Sequence, residues 1–280
     1  MADVQMPNEL FEFFLIVSDP EIANYVASRG VTRLFVDLET YGKAERQKGL
    51  NSVQSVQTPK TLSLIRESAP DAHILCRCNP LHENSTREVD DIITRGADSI
   101  MLPMFRDRDT LARFYDIVDN RLKIVPLFET VGSLGSIFEI VQTLPLERVH
   151  FGLNDLHLER KDKFLLQPLV DGVLDQPAKI LLKNNIQFGI GGLARLDEGI
   201  VPPRLLISEH VRLGSTAAIL SRSFHRNSAT CHELKQNMNF EAEVSLLLDQ
   251  YAEFCSYEDD EIQKCKDQIA QIVHSHLETA

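Results

Sequence analysis

Eight short apolar runs recur along the chain, at 13–17, 33–37, 73–77, 99–102, 123–128, 148–152, 186–190 and 216–220. They are too short for buried helices. They are also too continuously apolar for strands with one wet face, and so read as parallel strands covered on both sides. Helix signals separate them: Asp19-Pro20-Glu21, Thr58-Pro59, a Ser85-x-x-Glu88 capping box, segments 107–118 and 134–144, and Pro202-Pro203 before a stop at Gly214. Residues 161–184 read as mostly helical, interrupted by Pro168 and Pro177. Eight β-then-α units predict an α/β fold, a (β/α)8 TIM barrel, over residues 1–226. A doubly wound open sheet is the alternative. It calls for a Gly-rich first turn, and Ser18-Asp19-Pro20 is not one.

After residue 226 the pattern changes. Phe240, Val244, Leu247, Leu248 and Tyr251 recur at helical spacing, as do Ile262, Cys265, Ile269 and Ile272. These predict helices over 238–254 and 262–276 in a C-terminal helical extension, residues 227–280. The stripes must be covered, by the parent barrel or by a neighbouring subunit. Left bare they would form a larger patch than monomers usually carry, so a homo-oligomer is expected.

The formal charge of −12 repels nucleic acid and anionic lipid, so neither is an expected partner. No apolar run approaches the ~20 residues that cross a bilayer, and the first ten residues lack a basic signal region. A cytoplasmic location is expected. Five cysteines without a Cys-x-x-Cys pair read as reduced thiols. Cys76 and Cys78 alternate in a strand, share a face, and read as small buried residues.

Barrel chemistry sits at the C-terminal ends of the strands. Charged residues end strand two (Asp37, Glu39), strand three (Arg77, before Asn79), strand five (Glu129) and the turn after strand six (Asp155). Side chains alternate along a strand, so Arg77 shares a face with Leu75, and Glu129 with Leu127 and Val125. If those faces point inward, one Arg and several carboxylates converge at the mouth. Converging buried carboxylates require protons or a cation. Oxygen ligands without clustered Cys or His suit a hard divalent ion, Mg2+ or Mn2+. No strand ends in lysine, so a Schiff-base route lacks its nucleophile unless loop Lys43 reaches in. His157 reads as a solvated loop residue. His73 and His150 read as structural residues at strand starts.

In order along the chain stand Phe35-Val-Asp-Leu-Glu39, Arg77-x-Asn79, Gly96-Ala-Asp-Ser-Ile-Met-Leu-Pro103, Pro126-Leu-Phe-Glu-Thr130 and Phe151-Gly-Leu-Asn-Asp-Leu156. This ordered set, over residues 12–224, resembles the HpcH/HpaI aldolase and citrate lyase beta-subunit family of the phosphoenolpyruvate/pyruvate barrels. The resemblance implies that Glu129 and Asp155 hold the divalent metal. It implies that Arg77 binds the carboxylate or carbonyl oxygen of a pyruvate-like or acyl group. Asn79, Gly152 and Asn154 would line the substrate pocket beside it. Asp37 and Glu39 would orient metal-bound water or the proton-transferring group. The chain departs from the aldolase branch at Thr40, where that branch carries His, and at Ser221-Arg222, where it tends to carry an acid.

The expected activity is that of a metal-dependent carbon–carbon lyase of aldolase type, acting on a 2-oxo acid and an aldehyde through an enolate. An acyl-CoA lyase of citrate lyase beta-subunit type is a rival in the same class. A barrel that binds a metabolite without turnover is a rival of another class.

Overall fold

In a computed structural model, residues 11–42, 57–196, 199–221 and 224–279 are described. Lys43 and Arg222, weighed above, lie outside them. Eight parallel strands close into a barrel in sequence order, β1 pairing with both β2 and β8. They are β1 (Glu12–Ile16), β2 (Arg33–Asp37), β3 (Ile74–Arg77), β4 (Ser99–Leu102), β5 (Lys123–Phe128), β6 (Arg148–Phe151), β7 (Gln187–Leu193) and β8 (Ala217–Leu220). The TIM barrel expected from the alternation is the observed fold.

The described helices start where local chemistry lets them. Helix α1 (Pro20–Val26) has Asp19 as its cap, the carboxylate accepting from the Ile22 N–H at 2.8 Å. Helix α2 (Pro59–Ser68) carries proline in its first turn, and α3 (Ser85–Thr94) follows β3. Asp107 caps α4 (Arg108–Val118). The helix expected over 134–144 is two pieces, α5 (Val131–Gly135) and α6 (Ile137–Thr143), the first capped by Thr130. After β6 the chain enters α7 (Leu153–Arg160) at once. The region 161–184 is therefore less helical than its composition implies, containing only α8 (Gln167–Val170) and α9 (Asp175–Lys183). Pro168 and Pro177 interrupt nothing; both sit in first turns, where no intrahelical N–H is required. Helix α10 (Pro203–Leu213) leads to β8.

Two apolar shells result. Phe14, Phe35, Leu75, Met101, Val125, Leu127 and Ala217 fill the barrel interior. The other face of each strand packs under the helices, and Cys76 and Cys78 are buried there.

The C-terminal extension holds α11 (Cys231–Asn237), α12 (Phe240–Phe254) and α13 (Asp259–Thr279). Both α12 and α13 pack on α10, and α13 also meets α8. Their apolar residues Phe240, Val244, Leu247, Ile262, Ile269 and Val273 belong to the outer core. Lys266 and Arg212 both engage Asp175, tying α13 to α9 and α10. Much of each apolar stripe is thus covered within the chain, while Leu248, Tyr251, Cys265 and Ile272 stay partly exposed.

Two histidines in this core set an acid limit. Burial pushes His150 down to about 4 and His210, next to it, down to about 3. Both are neutral in the fold, whereas an unfolded histidine titrates near ~6.5. Their contribution is complete above that value and is lost as pH falls toward 4 and then 3. Urea titrations should show stability dropping below pH ~6.5, each histidine adding up to ~1.4 kcal/mol per pH unit. His210→Asn, which can keep the 2.9 Å bond of Nδ1 to the Ser215 hydroxyl, should make that slope shallower by one proton. An unchanged slope would mean that other groups drive acid unfolding.

Candidate active site

The strand parity inferred above places the charged residues. Asp37 and Arg77 are register partners on β2 and β3, each two residues beyond an interior core residue, Phe35 and Leu75. Glu129 follows Leu127 in the same way at the end of β5. All three emerge on the inner side at the C-terminal mouth.

Arg77 is gripped by its neighbours. Its Nε donates to Asp37 Oδ1 at 2.9 Å and its Nη2 to Oδ2 at 2.8 Å, a two-pronged pair. Glu39 Oε2 lies 3.4 Å from the same Nε. Nη1 has no hydrogen-bond partner among the described residues. Burial alone would lower the guanidinium's pKa, but Asp37 first, then Glu39 and Glu129, raise it. Asp37 itself is fixed through its main chain, whose N–H donates to Gln57 Oε1 at 2.9 Å. Asp37 Oδ1 also accepts the Glu39 N–H at 3.2 Å.

Glu129 is 2% exposed. Burial pushes its carboxyl up to about 8; the charges of Asp155 and Glu39 add to this, while Arg77 and the Met104 N–H oppose it. That N–H donates to Oε1 at 3.0 Å from a residue in the left-handed region, φ 58°. A non-glycine residue is rarely held there, so the β4–α4 turn is bent to bring its N–H onto the carboxylate. On the other side lies Gly152. A Cβ at that position would sit 2.8 Å from both Cβ and Oε2 of Glu129, so only glycine lets β6 pass so close.

Gly152 is the cap residue of α7, and Asp155 lies in that helix's first turn, half-buried and near enough to Glu129 to raise its pKa. The residues expected to form the site are thus brought together at one mouth, with two differences. Asn154 is exposed in α7's first turn. Asn79 faces its own protein: Oδ1 accepts from Thr40 and Tyr41, and Nδ2 donates to Glu88.

His150 is not at a strand start. It is the third residue of β6, buried one layer beneath the mouth, with Nε2 3.1 Å from the Gly191 carbonyl. Gly191 belongs to an irregularity between β7 and β8, where the register shifts between Gly189 and Gly192. The only sequence signal for it was the Gly189-x-Gly-Gly192 run.

A cavity of about 300 Å3 also opens at the opposite, N-terminal end of the barrel. Its charges pair among themselves: Arg33 and Arg148 with Glu12, and Lys123 with Glu147. That end is ringed by helix C-termini, whose negative dipole ends disfavour a cluster of carboxylates.

Among the described residues no three His, Cys, Asp or Glu side chains are grouped to hold a metal. The donor chemistry nevertheless fits a hard divalent ion. Glu129 is a buried carboxylate held back from ionising, with Asp155 close by, and a cation held there would relieve Glu129.

No protein-family model and no curated protein matches the sequence. Solved structures do. An HpcH/HpaI aldolase from Desulfitobacterium hafniense superposes with TM-score 0.57 at 14% identity, over 76% of this chain and 86% of that one. An HpcH/HpaI aldolase/citrate lyase family protein from Burkholderia cenocepacia gives 0.59 at 12% identity, over 83% and 96%. The citrate synthase SbnG gives 0.55 at 16% identity, over 76% and 86%. The chain shares the barrel fold of these proteins. At these identities the HpcH/HpaI likeness concerns the backbone. No described helix is long and apolar enough to cross a membrane.

Proposed function

We propose that the chain is a divergent member of the HpcH/HpaI aldolase and citrate lyase beta-subunit family. Its activity on this reading is that of a divalent-metal-dependent carbon–carbon lyase of aldolase type, acting on a 2-oxo acid. One observation carries it: Glu129, buried with its carboxyl pushed up to about 8, stands at the same mouth as the Asp37-clamped Arg77. A site that only bound a neutral metabolite would have no use for a buried carboxylate that costs free energy to ionise. The names of the fold's relatives, aldolase, citrate lyase family and citrate synthase, point to the same bond chemistry.

Glu129 and Asp155 would hold Mg2+ or Mn2+. When bound, the ion supplies Lewis-acid stabilisation of the negative charge that builds on the 2-oxo group. Arg77 receives a carboxylate or the developing oxyanion on Nη1, and its other nitrogens stay on Asp37. The first-turn N–H groups of α7 beyond Gly152 give a second anchor for a substrate carboxylate. Asp37 and Glu39 fix the guanidinium plane and set the field where the proton is exchanged.

The test needs no knowledge of the aldehyde. Pyruvate in D2O with the protein and Mg2+ or Mn2+ should exchange its methyl protons, followed by proton NMR against a protein-free control. Exchange into acetyl-CoA but not pyruvate would favour the acyl-CoA lyase. No exchange into either would sink the enzyme reading.

A further inference from the structure

Ser85-x-x-Glu88 has the spacing of a capping box, yet Asn84 is the cap residue of α3, and no side-chain cap bond forms. Glu88 turns away from its own helix. Its Oε1 accepts two bonds from Asn79, from the main-chain N–H at 3.1 Å and from Nδ2 at 2.7 Å. Its Oε2 lies 2.9 Å from His82 Nε2. His82 Nδ1 accepts the Asn84 N–H at 3.2 Å, so Nε2 is the protonated nitrogen and donates to Glu88. The His82 main-chain N–H in turn donates to Ser85 Oγ at 2.9 Å.

On the far side of Asn79, Oδ1 accepts three bonds: the Thr40 N–H at 2.8 Å, the Thr40 hydroxyl at 3.2 Å and the Tyr41 N–H at 2.9 Å. Thr40 and Tyr41 directly follow Glu39, whose carboxylate lies 3.4 Å from Arg77.

A carboxamide is nearly symmetric in shape and opposite in polarity at its two ends. Flipped, Asn79 would turn an NH2 toward the Thr40 and Tyr41 N–H donors and lose both main-chain bonds to the Glu39–Tyr41 turn. Glu88 forbids the flip, because an ionised carboxylate accepts only and must face Nδ2. We propose that Glu88 is a positioning residue for the active site: by fixing the polarity of Asn79 it holds the Glu39–Tyr41 turn, and with it Glu39, against Arg77. Glu88 touches no substrate, and the proposal rests on the reading of this mouth as the reacting site.

The sequence contains no tryptophan, so Tyr41→Trp adds a single fluorescent reporter on the turn. Position 41 is suited to this: its ring packs edge-on to His82 at 4.8 Å and is half exposed. In that background Glu88→Gln should raise acrylamide quenching of the reporter at least about twofold. A glutamine must give up either its bond from Asn79 or its bond from His82. Pyruvate methyl exchange should fall about tenfold, the equivalent of one hydrogen bond to a charged group, with Mn2+ affinity unchanged.

Asn79→Asp sets carboxylate against carboxylate and should be worse on both readouts. Combining Asn79→Asp with Glu88→Gln reverses the polarity of the pair, since the Gln amide can then donate to Asp. The double variant should recover part of both readouts, short of the parent because the main-chain N–H of residue 79 loses its 3.1 Å acceptor, and general damage to the fold would not allow any recovery. Unchanged quenching and exchange in Glu88→Gln, or a double variant no better than Asn79→Asp, would overturn the proposal. If Asn79→Asp does not fold, quenching in Glu88→Gln decides alone. If the parent protein shows no exchange, the proposed activity fails, and quenching still decides whether Glu88 sets the turn.

Discussion

Lysine at position 77 is expected to slow pyruvate exchange by about 10²–10³, the usual cost of losing a donor aimed at developing negative charge. Arg77 performs two tasks with one planar group. Nε and Nη2 span the two oxygens of Asp37, at 2.9 and 2.8 Å, while on the proposed function Nη1 serves the substrate. A lysine ammonium keeps the charge but is a point and cannot do both. Mn2+ affinity should stay within a few-fold of the parent, because a guanidinium offers a metal no acceptor atom and lysine keeps its charge. Methionine is expected to be much worse for the fold. It strands two carboxylates, Asp37 at 9% and Glu39 at 5% exposure, without their cation. Breaking a buried pair from one side costs about 3–5 kcal/mol. Urea unfolding and calorimetric Mn2+ titration on the same two variants separate the tasks. If Arg77→Lys lost metal binding as severely as exchange, Arg77 would be a spacer between carboxylates rather than a substrate ligand.

The second large effect is on the metal. Glu129→Ala is expected to weaken Mn2+ by a hundredfold or more, about 2.7 kcal/mol or above. Asp155→Ala should act in the same direction but less, since Asp155 is half-buried on a helix turn whereas Glu129 is 2% exposed. In Glu129 the surroundings are already arranged around the carboxylate: the Met104 N–H on Oε1, and the missing Cβ of Gly152 beside Oε2. Isothermal titration of both variants with Mn2+ checks this. Parent-like affinity in both would remove the metal site from this mouth, and with it the Lewis-acid part of the proposed chemistry.

Much of this was legible in the chain. Strand parity alone put Arg77 with Leu75 and Glu129 with Leu127, and both pairs line the interior. Signals within a few residues were legible too, such as Asp19 before Pro20 and Asp107 before α4. Errors arose where a local pattern had a distant competitor. Ser85-x-x-Glu88 is a capping box by spacing, but the turn between β3 and α3 folds back and offers Glu88 the N–H and amide of Asn79 instead. Pro168 and Pro177 read as interruptions because proline signals a start or a stop equally well. Which one applies depends on whether the preceding residues are already helical.

By itself, then, the sequence determined the periodicity: apolar runs that must be buried on both faces, repeated eight times, and the side of each strand on which every charge emerges. Those properties depend on neighbours one to four residues away. Tertiary structure alone decided the partners. Asp37 and Arg77 lie forty residues apart, and parity sends both inward without saying that they bind each other in a two-pronged pair. The stripes on α12 and α13 demanded cover, and only the closed barrel, by presenting α10, showed that the same chain supplies much of it. His150 acquires its buried place beneath the mouth because β7 passes beside β6, a pairing across about forty residues. Such contacts form only after the intervening chain has folded, so no short stretch of sequence carries their signature.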